Sequence, residues 1–396
     1  MFGKRVAILG IAAASAFALP QAIMAQGTIK FGFVSSLSGP FTPWGVNVRD
    51  GMKMAVDEIN EKGGVLGRKF EIVERDDKNN PNEGITAFHY MVEREGIVAA
   101  GGTISSDVGL AVSREAETLK VPYFLTMSGS HAILKKDSRH TFRTCLPAAP
   151  ESMDAIAAMI KDRKLTRIGV IVADYAWGHS LREAVESLIK PLPGVRVQIE
   201  VAPVPEKDFT PYLRKLQGLD PEMIIVTGHP PGAPTITRQA VELGMKALII
   251  GPWYPTEFMA QRVGESTYGR FVDYSCVDFE NAAYRQLAER YFKAYKRLFD
   301  NNGFSGYAMV KLVSEVIRKT KSTDPEVIAE GIRKGSFEQP GYAWALAYTE
   351  WGEMAAARPI LYTYEKGDPG AINAGATWRP KVLFRSPALQ PYVPKD

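Results

Sequence analysis

The chain is poor in the residues that covalent chemistry needs. Of its 396 residues only two are cysteines, Cys145 and Cys276, which permits one disulfide or two buried thiols and nothing more elaborate. The five histidines, His89, His131, His140, His179 and His229, are scattered. No Cys/His cluster has the spacing of zinc ligands, so no structural metal is expected. There is no Gly-x-Ser-x-Gly elbow, no Walker glycine loop, and no cysteine in an electropositive loop beside a histidine. Gly101-Gly102 lacks the third glycine of a dinucleotide fingerprint. The sequence therefore argues against an enzyme, and no cofactor is expected. Charge of one sign is also missing: 48 Lys and Arg face 44 Asp and Glu, a net of +4, with no basic block of the kind nucleic acid requires. Low-complexity tracts are absent. Past Leu19 no apolar run is long enough to cross about 30 Å of hydrocarbon.

The first residues set the compartment. Lys4 and Arg5 precede an apolar run from Val6 to Leu19, and Ile23-Met24-Ala25 supplies a small-residue stop. This predicts a secretory signal peptide over residues 1–25, with a mature chain starting at Gln26. A lipid anchor would need cysteine where Gln26 stands, so a freely diffusing periplasmic protein is expected. The roughly 370 remaining residues exceed what one hydrophobic core supports, which predicts two domains.

From Ile29 onward, apolar runs of strand length alternate with segments of helical periodicity. Strands are expected at Ile29–Val34, Phe70–Val73, Ile97–Ala100 and Pro122–Leu125, with helices from Val48 to Ile59, Glu83 to Arg94 and Val108 to Leu119. After Pro147 the rhythm resumes, with strands at Ile168–Val172, Val195–Val201, Met223–Val226 and Ala247–Ile250. Helices between these are expected at Met153–Asp162, Leu181–Ile189, Phe209–Leu216 and Thr235–Leu243, followed by long ones at Asn281–Phe299 and Met309–Thr320. Alternation of this kind specifies parallel sheets covered by helices on both faces, here in two α/β units. The chain is expected to cross between them near Thr144-Leu146, Ser275-Val277 and Ala357-Ile360.

Several short motifs occur in a telling order: Leu37-Ser38-Gly39-Pro40 with Trp44-Gly45, Gly63-Gly64 with Gly67-Arg68-Lys69, Asp76-Asp77, Gly101-Gly102 with Ser105-Ser106, Val121-Pro122, Phe142-Arg143-Thr144, Asp174-Tyr175 with Trp177-Gly178, Lys207-Asp208-Phe209, and Gly251-Pro252. Together they resemble the type I periplasmic solute-binding proteins of the branched-chain amino acid (Leu/Ile/Val-binding) family, over nearly the whole mature chain. That resemblance implies an α/β fold of two doubly wound parallel-sheet lobes joined by a three-strand hinge, closing like a flytrap. The lobes would comprise residues 26–146 plus 277–357 and residues 147–276 plus 358–396. It also implies an ABC permease and its ATPase as partners, with the binding protein itself a monomer. The same fold could serve a ligand-sensing receptor system instead. Cys145 and Cys276 both fall at expected crossings, which makes a hinge disulfide an expectation.

Ligands in such sheets sit beyond the carboxyl ends of the strands, where loops lead into helix N-termini. Ser105 and Ser106 occupy one such loop and Ser128-Gly129 another. With free N–H groups and a positive helix end they suit a carboxylate, and the resemblance places Ser105 and Ser128-Gly129 at the carboxylate anchor. Helix capping is the alternative role for these serines. On the opposite side the chain departs from the amino-acid binders. Trp44 and Trp177 stand where relatives carry Tyr, and His229 replaces another. Trp253-Tyr254 follows Gly251-Pro252, where an acid would pair with the ligand ammonium. A buried ammonium without that acid costs several kcal/mol. The expected ligand is therefore an aromatic or hydrophobic carboxylate, with an amide, or a cation caged by the same rings near Asp107 and Asp174, as the alternative.

Overall fold

The structure, a computed structural model, describes residues 1–3, 27–227, 232–251 and 254–395. The expected signal peptide therefore lies almost entirely outside the described residues. The first unit comprises β1 (Ile29–Ser35), α1 (Thr42–Glu61), β2 (Phe70–Asp76), α2 (Pro81–Tyr90), β3 (Ala99–Thr103), α3 (Ser106–Leu119), β4 (Tyr123–Leu125) and β5 (Thr141–Arg143). Its five strands form a parallel sheet in the order β2-β1-β3-β4-β5.

The second unit runs through α4 (Ala149–Asp162), β6 (Arg167–Ala173), α5 (Ala176–Ala184), β7 (Arg196–Ala202), α6 (Thr210–Gln217), β8 (Met223–Val226), α7 (Gly232–Glu242), β9 (Leu248–Ile250), α8 (Thr256–Val263) and β10 (Phe271–Ser275). The chain then adds α9 (Ala282–Tyr295), α10 (Asn301–Thr320), α11 (Pro325–Lys334) and the short pair β11 (Ser336–Phe337) and β12 (Leu346–Ala347) before returning to the second sheet as β13 (Ile360–Lys366) and β14 (Trp378–Arg385). The second sheet has the order β14-β13-β10-β9-β8-β6-β7. Its strands β6 to β10 are parallel, as the alternation predicts, whereas β13 and β14 close one edge antiparallel. Helices cover both faces of a parallel sheet, so its strands are buried on both sides; β8 reads Met-Ile-Ile-Val with every residue buried.

Two differences from the sequence expectation have clear causes. Gly101-Gly102 lies inside β3 rather than in a turn. A Cβ on Gly101 would collide with Phe124 and the Met309 sulfur, so the glycine marks close packing of α10 on the sheet. Helix α10 begins at Asn301, eight residues before the expected Met309, because every residue from Asn301 to Val310 is buried and no amphipathic stripe announces it. Asp300 caps it, accepting from the Asn302 and Gly303 N–H groups. The helix returns to the first unit and packs along α1, where Gly51 and Gly306 let the two backbones touch.

The segments leaving β5 and β10 run side by side. Cys145 and Cys276 are bonded there, with Cα atoms 5.3 Å apart. The Tyr342 hydroxyl donates to the Thr144 carbonyl at 2.7 Å, and Ala343 N–H to that of Cys276 at 2.8 Å.

Candidate functional site

Two loops at the carboxyl end of the first sheet approach each other. Ser105 precedes α3 with φ −69° and ψ 133°, the backbone of an N-cap, yet its hydroxyl makes no capping bond. Ser106 is used locally: its Oγ accepts the Ser130 N–H at 3.2 Å. Ser128 turns inward, its Oγ lying 3.0 Å from the Ser105 carbonyl and 3.2 Å from that of Thr103. The Ser128 hydroxyl thus ties the two loops together and is not aimed outward as a ligand donor. Among the described residues no acceptor takes the N–H of Ser128 or Gly129. The polar anchor that results is the Ser105 hydroxyl plus backbone amides, at the positive end of α3.

The loop is held from behind by Arg143, which is fully buried at the end of β5. Its Nη1 donates to the Ser128 carbonyl at 2.6 Å, Nη2 to the Ser130 carbonyl at 2.8 Å, and Nε to Glu353 at 2.7 Å. A second carboxyl, Glu151 in the first turn of α4, adjoins Glu353 and accepts the Tyr392 N–H at 3.0 Å. Burial, and then the Glu353 charge, push Glu151 well above the usual carboxylate range, which favours its neutral form beside the Arg143–Glu353 pair. The sequence marks Arg143 as a motif residue without a role, between Phe142 and Thr144 at the end of a short strand.

Helix α5 of the second unit sits on this loop. Trp177 is 5% exposed, and a Cβ on Gly129 would strike its six-membered ring and, at 2.8 Å, Leu146. One turn further on, Ser180 Oγ meets Ser130 Oγ at 2.8 Å. Trp177 and Ser180 are three apart and so share a helix face.

Aromatic rings interlock across the two units nearby. Trp44, in the first turn of α1 and 2% exposed, meets Tyr254 at 5.1 Å edge-on, Phe258 at 6.1 Å and Phe41 at 5.8 Å. Tyr254 also packs against Phe258 and Phe271. Burial raises the Tyr254 phenol well above its ordinary range, with the Tyr175 phenol adding to the shift; burial and then Asp107 raise Tyr175. Tyr175 is partly buried and packs against the same apolar core, although the sequence singled out Trp177 from the same motif. His229 and Trp253 lie outside the described residues, so the described indoles here are Trp44 and Trp177.

Acids do lie behind this wall. Asp273 accepts the N–H of Tyr254 at 3.3 Å and of Tyr274 at 2.7 Å on one oxygen, and the Tyr362 hydroxyl at 2.9 Å on the other. Asp300 accepts the Thr256 N–H at 3.2 Å and Asn47 Nδ2 at 3.4 Å besides its capping bonds. Both carboxylates serve the fold. Among the described residues no cluster of His, Cys, Asp and Glu could hold a metal.

Two α/β units linked by three passages of the chain, after β5, β10 and β12, with a polar loop on one and rings from both at their junction, define a two-lobed solute-binding protein. Residues 28–362 match a periplasmic binding protein family, and the chain belongs to it, among the type I proteins of Leu/Ile/Val-binding type. It is 26% identical over 353 residues to the Leu/Ile/Val-binding protein BraC3 of Rhizobium johnstonii, covering 88% of this chain and 95% of that one. A leucine-binding protein of Thermotoga maritima superposes with a TM-score of 0.77 at 21% identity, over 91% of this chain and 99% of the other. An ABC-transporter solute-binding protein of R. palustris, solved in complex with benzoate, gives a TM-score of 0.77 at 18% identity, over 92% and 98%. The family implies an extracytoplasmic location, and among the described residues no helix is long and apolar enough to cross a membrane.

Proposed function

We propose that this protein captures an aromatic or hydrophobic carboxylate outside the cytoplasm and delivers it to an ABC importer. The observation that carries this reading is the pairing of a hydroxyl-and-amide anchor at Ser105 and Ser128-Gly129 with a ring wall of Trp44, Tyr254 and Phe258, while Asp273 behind that wall is already engaged. The carboxylate would rest on the N–H groups and the Ser105 hydroxyl, where the α3 dipole favours negative charge. The flat body would lie against the rings.

Each side of the site recruits both lobes: Trp177 reaches Gly129, and Trp44 reaches Tyr254. A ligand touching both therefore favours the closed form by its differential affinity for it, and closure is what the permease reads. An α-amino acid would bring an ammonium to a wall backed by Asp273, which already accepts three donors. Leaving that charge unpaired costs about 3–5 kcal/mol. The benzoate complex of the R. palustris neighbour supports the choice of ligand class as an analogy of fold.

A thermal-shift panel of benzoates, cinnamates, aliphatic acids, branched-chain amino acids, aromatic amides and quaternary amines tests the reading. The aromatic acids are expected to raise the melting temperature. Stabilisation by the amino acids alone would overturn the proposal, and stabilisation by the amines alone would favour a caged cation.

A further inference from the structure

Outside the ring wall lies a chamber of about 550 Å³ that no residue of the proposed anchor lines. Its volume falls in the range of about 300–1,000 Å³ usual for small-molecule sites. One side is Pro40 and Phe41 of the first lobe, the other Val204, Pro205 and Phe258 of the second. Phe41 and Phe258 also pack on Trp44, at 5.8 and 6.1 Å, so one layer of rings is shared between the chamber and the candidate site. The chamber lies on the outer side of that ring layer, and it needs both lobes to exist.

Its charge is one-sided. Lys207 and Arg262 line it, and among the described residues no carboxylate does. Arg262 is held 4.5 Å over the Phe258 ring, which leaves its N–H edges facing outward from that stack. The two acids flanking Lys207 in sequence are occupied: Glu206 accepts the N–H groups of Lys207 and Asp208 and the Tyr212 hydroxyl, and Asp208 accepts the Thr210 N–H and Gln239 Nε2. Apolar walls ending in two cations match an elongated organic body ending in an anion.

We infer that the chamber holds the far end of an extended ligand, and that the preferred solutes are aromatic acids carrying a second anionic group remote from the first. This rests on the proposed function and narrows its ligand class. The first carboxylate occupies the Ser105 loop, the ring passes along Trp44 and Phe258, and the second anion reaches Lys207 and Arg262. Because the chamber is walled by both lobes, filling it adds to the preference for the closed form.

Calorimetric titration of the full mature protein with benzoate, cinnamate and para-carboxycinnamate tests this. The last two differ only in the second carboxylate. Wild type is expected to bind para-carboxycinnamate at least about tenfold more tightly than cinnamate, as one charge-assisted contact gives. The double variant Lys207→Ala, Arg262→Ala should erase that gain and leave benzoate and cinnamate unchanged, with an unaltered ligand-free melting temperature because both side chains are exposed. Equal affinity for cinnamate and para-carboxycinnamate in wild type, or equal weakening of all three ligands in the variant, would overturn the inference while the proposed function stands. Failure of all three to bind removes both.

Discussion

The anchor side and the ring side of the site are built on opposite principles. The anchor loop is wired in directional bonds: Arg143 grips two of its carbonyls, Ser128 ties it to Ser105, and Ser106 holds the Ser130 amide. The ring side is packed, with Trp44, Tyr254 and Phe258 meeting at 5 to 6 Å without fixing one another's rotation about the contact. Hydrogen bonds set where a carboxylate must sit, because a misplaced donor is a lost donor. Ring contacts accept any flat apolar body of suitable size. On the proposed reading, the anchor therefore fixes the position of the ligand carboxylate, and the wall sets which body can follow it.

The contrast breaks most completely at Arg143. Replacing it by Ala leaves Glu353 without its cation in a fully buried site and releases the Ser128 and Ser130 carbonyls. The expected cost is about 3–5 kcal/mol, read from urea unfolding, with ligand binding lost even where the fold survives. Trp44→Ala, on the ring side, should cost a comparable amount by cavity formation, yet hydrogen exchange should show the Ser130 amide, which Ser106 holds, still protected. If both variants expose that amide equally, the two sides are not independent.

The pH dependence of stability comes next. Glu151 titrates higher in the folded protein than unfolded, by burial and then by the Glu353 charge. The folded state therefore binds a proton that the unfolded chain releases, and stability falls as pH rises from the ordinary carboxylate range through the folded value. Facing it are Glu353 and Arg143 on the hinge side, and Asp154, Glu183, Glu186, His131 and Lys395 around the cavity it adjoins. The slope is about 1 kcal/mol per pH unit within that window. Glu151→Gln keeps the hydrogen bonds of the neutral acid and should flatten it, as melting temperatures from pH 5 to pH 8 would reveal. An unchanged slope would assign the proton elsewhere.

Gly129→Ala should act mainly on closure. The added methyl meets Trp177, which belongs to the other lobe, and the tip of the Leu146 side chain at 2.8 Å, so the open form escapes the first clash and keeps the second. Ligand affinity should fall about tenfold or more while the unliganded melting temperature falls only slightly, a split that titration and thermal melts resolve together. Equal losses in both would place Trp177 on the loop even when the cleft is open.

The parallel strands and their helices were legible because each follows a rule of period and length; Met223–Val226 is read at its observed ends. The antiparallel edge β13–β14 and the helices α8 and α11 were not assigned. Nor was the start of α10, whose buried first turns carry no polar face. In the site, residue type pointed to the loops but could not orient them: Ser105 and Ser128 look alike in sequence, and only tertiary contacts send one hydroxyl inward. Trp177, which ring size singles out in the sequence, does lie against Gly129, and it is the phase of α5 that puts it there. Arg143 escaped notice because its partners, Glu353 and Glu151, are 210 and 8 residues away in the chain.

The smallest effect is the most discriminating. An N-cap serine that bonds its helix loses about 1 kcal/mol on replacement by Ala. Ser105 holds the N-cap position of α3 without that bond, so Ser105→Ala should leave the melting temperature of the ligand-free protein nearly unchanged. If the hydroxyl donates to the ligand carboxylate, the same change weakens binding by about 1.5–3 kcal/mol, the worth of a hydrogen bond to a charged group. Ser128→Ala should do the reverse, since its hydroxyl spans the Thr103 and Ser105 carbonyls: stability falls by about 1 kcal/mol and affinity follows only as far as the loop loosens. Measured side by side, the two serines separate a donor aimed at the ligand from one aimed at the fold, and a Ser105 variant that melts early and binds normally would make it a cap after all.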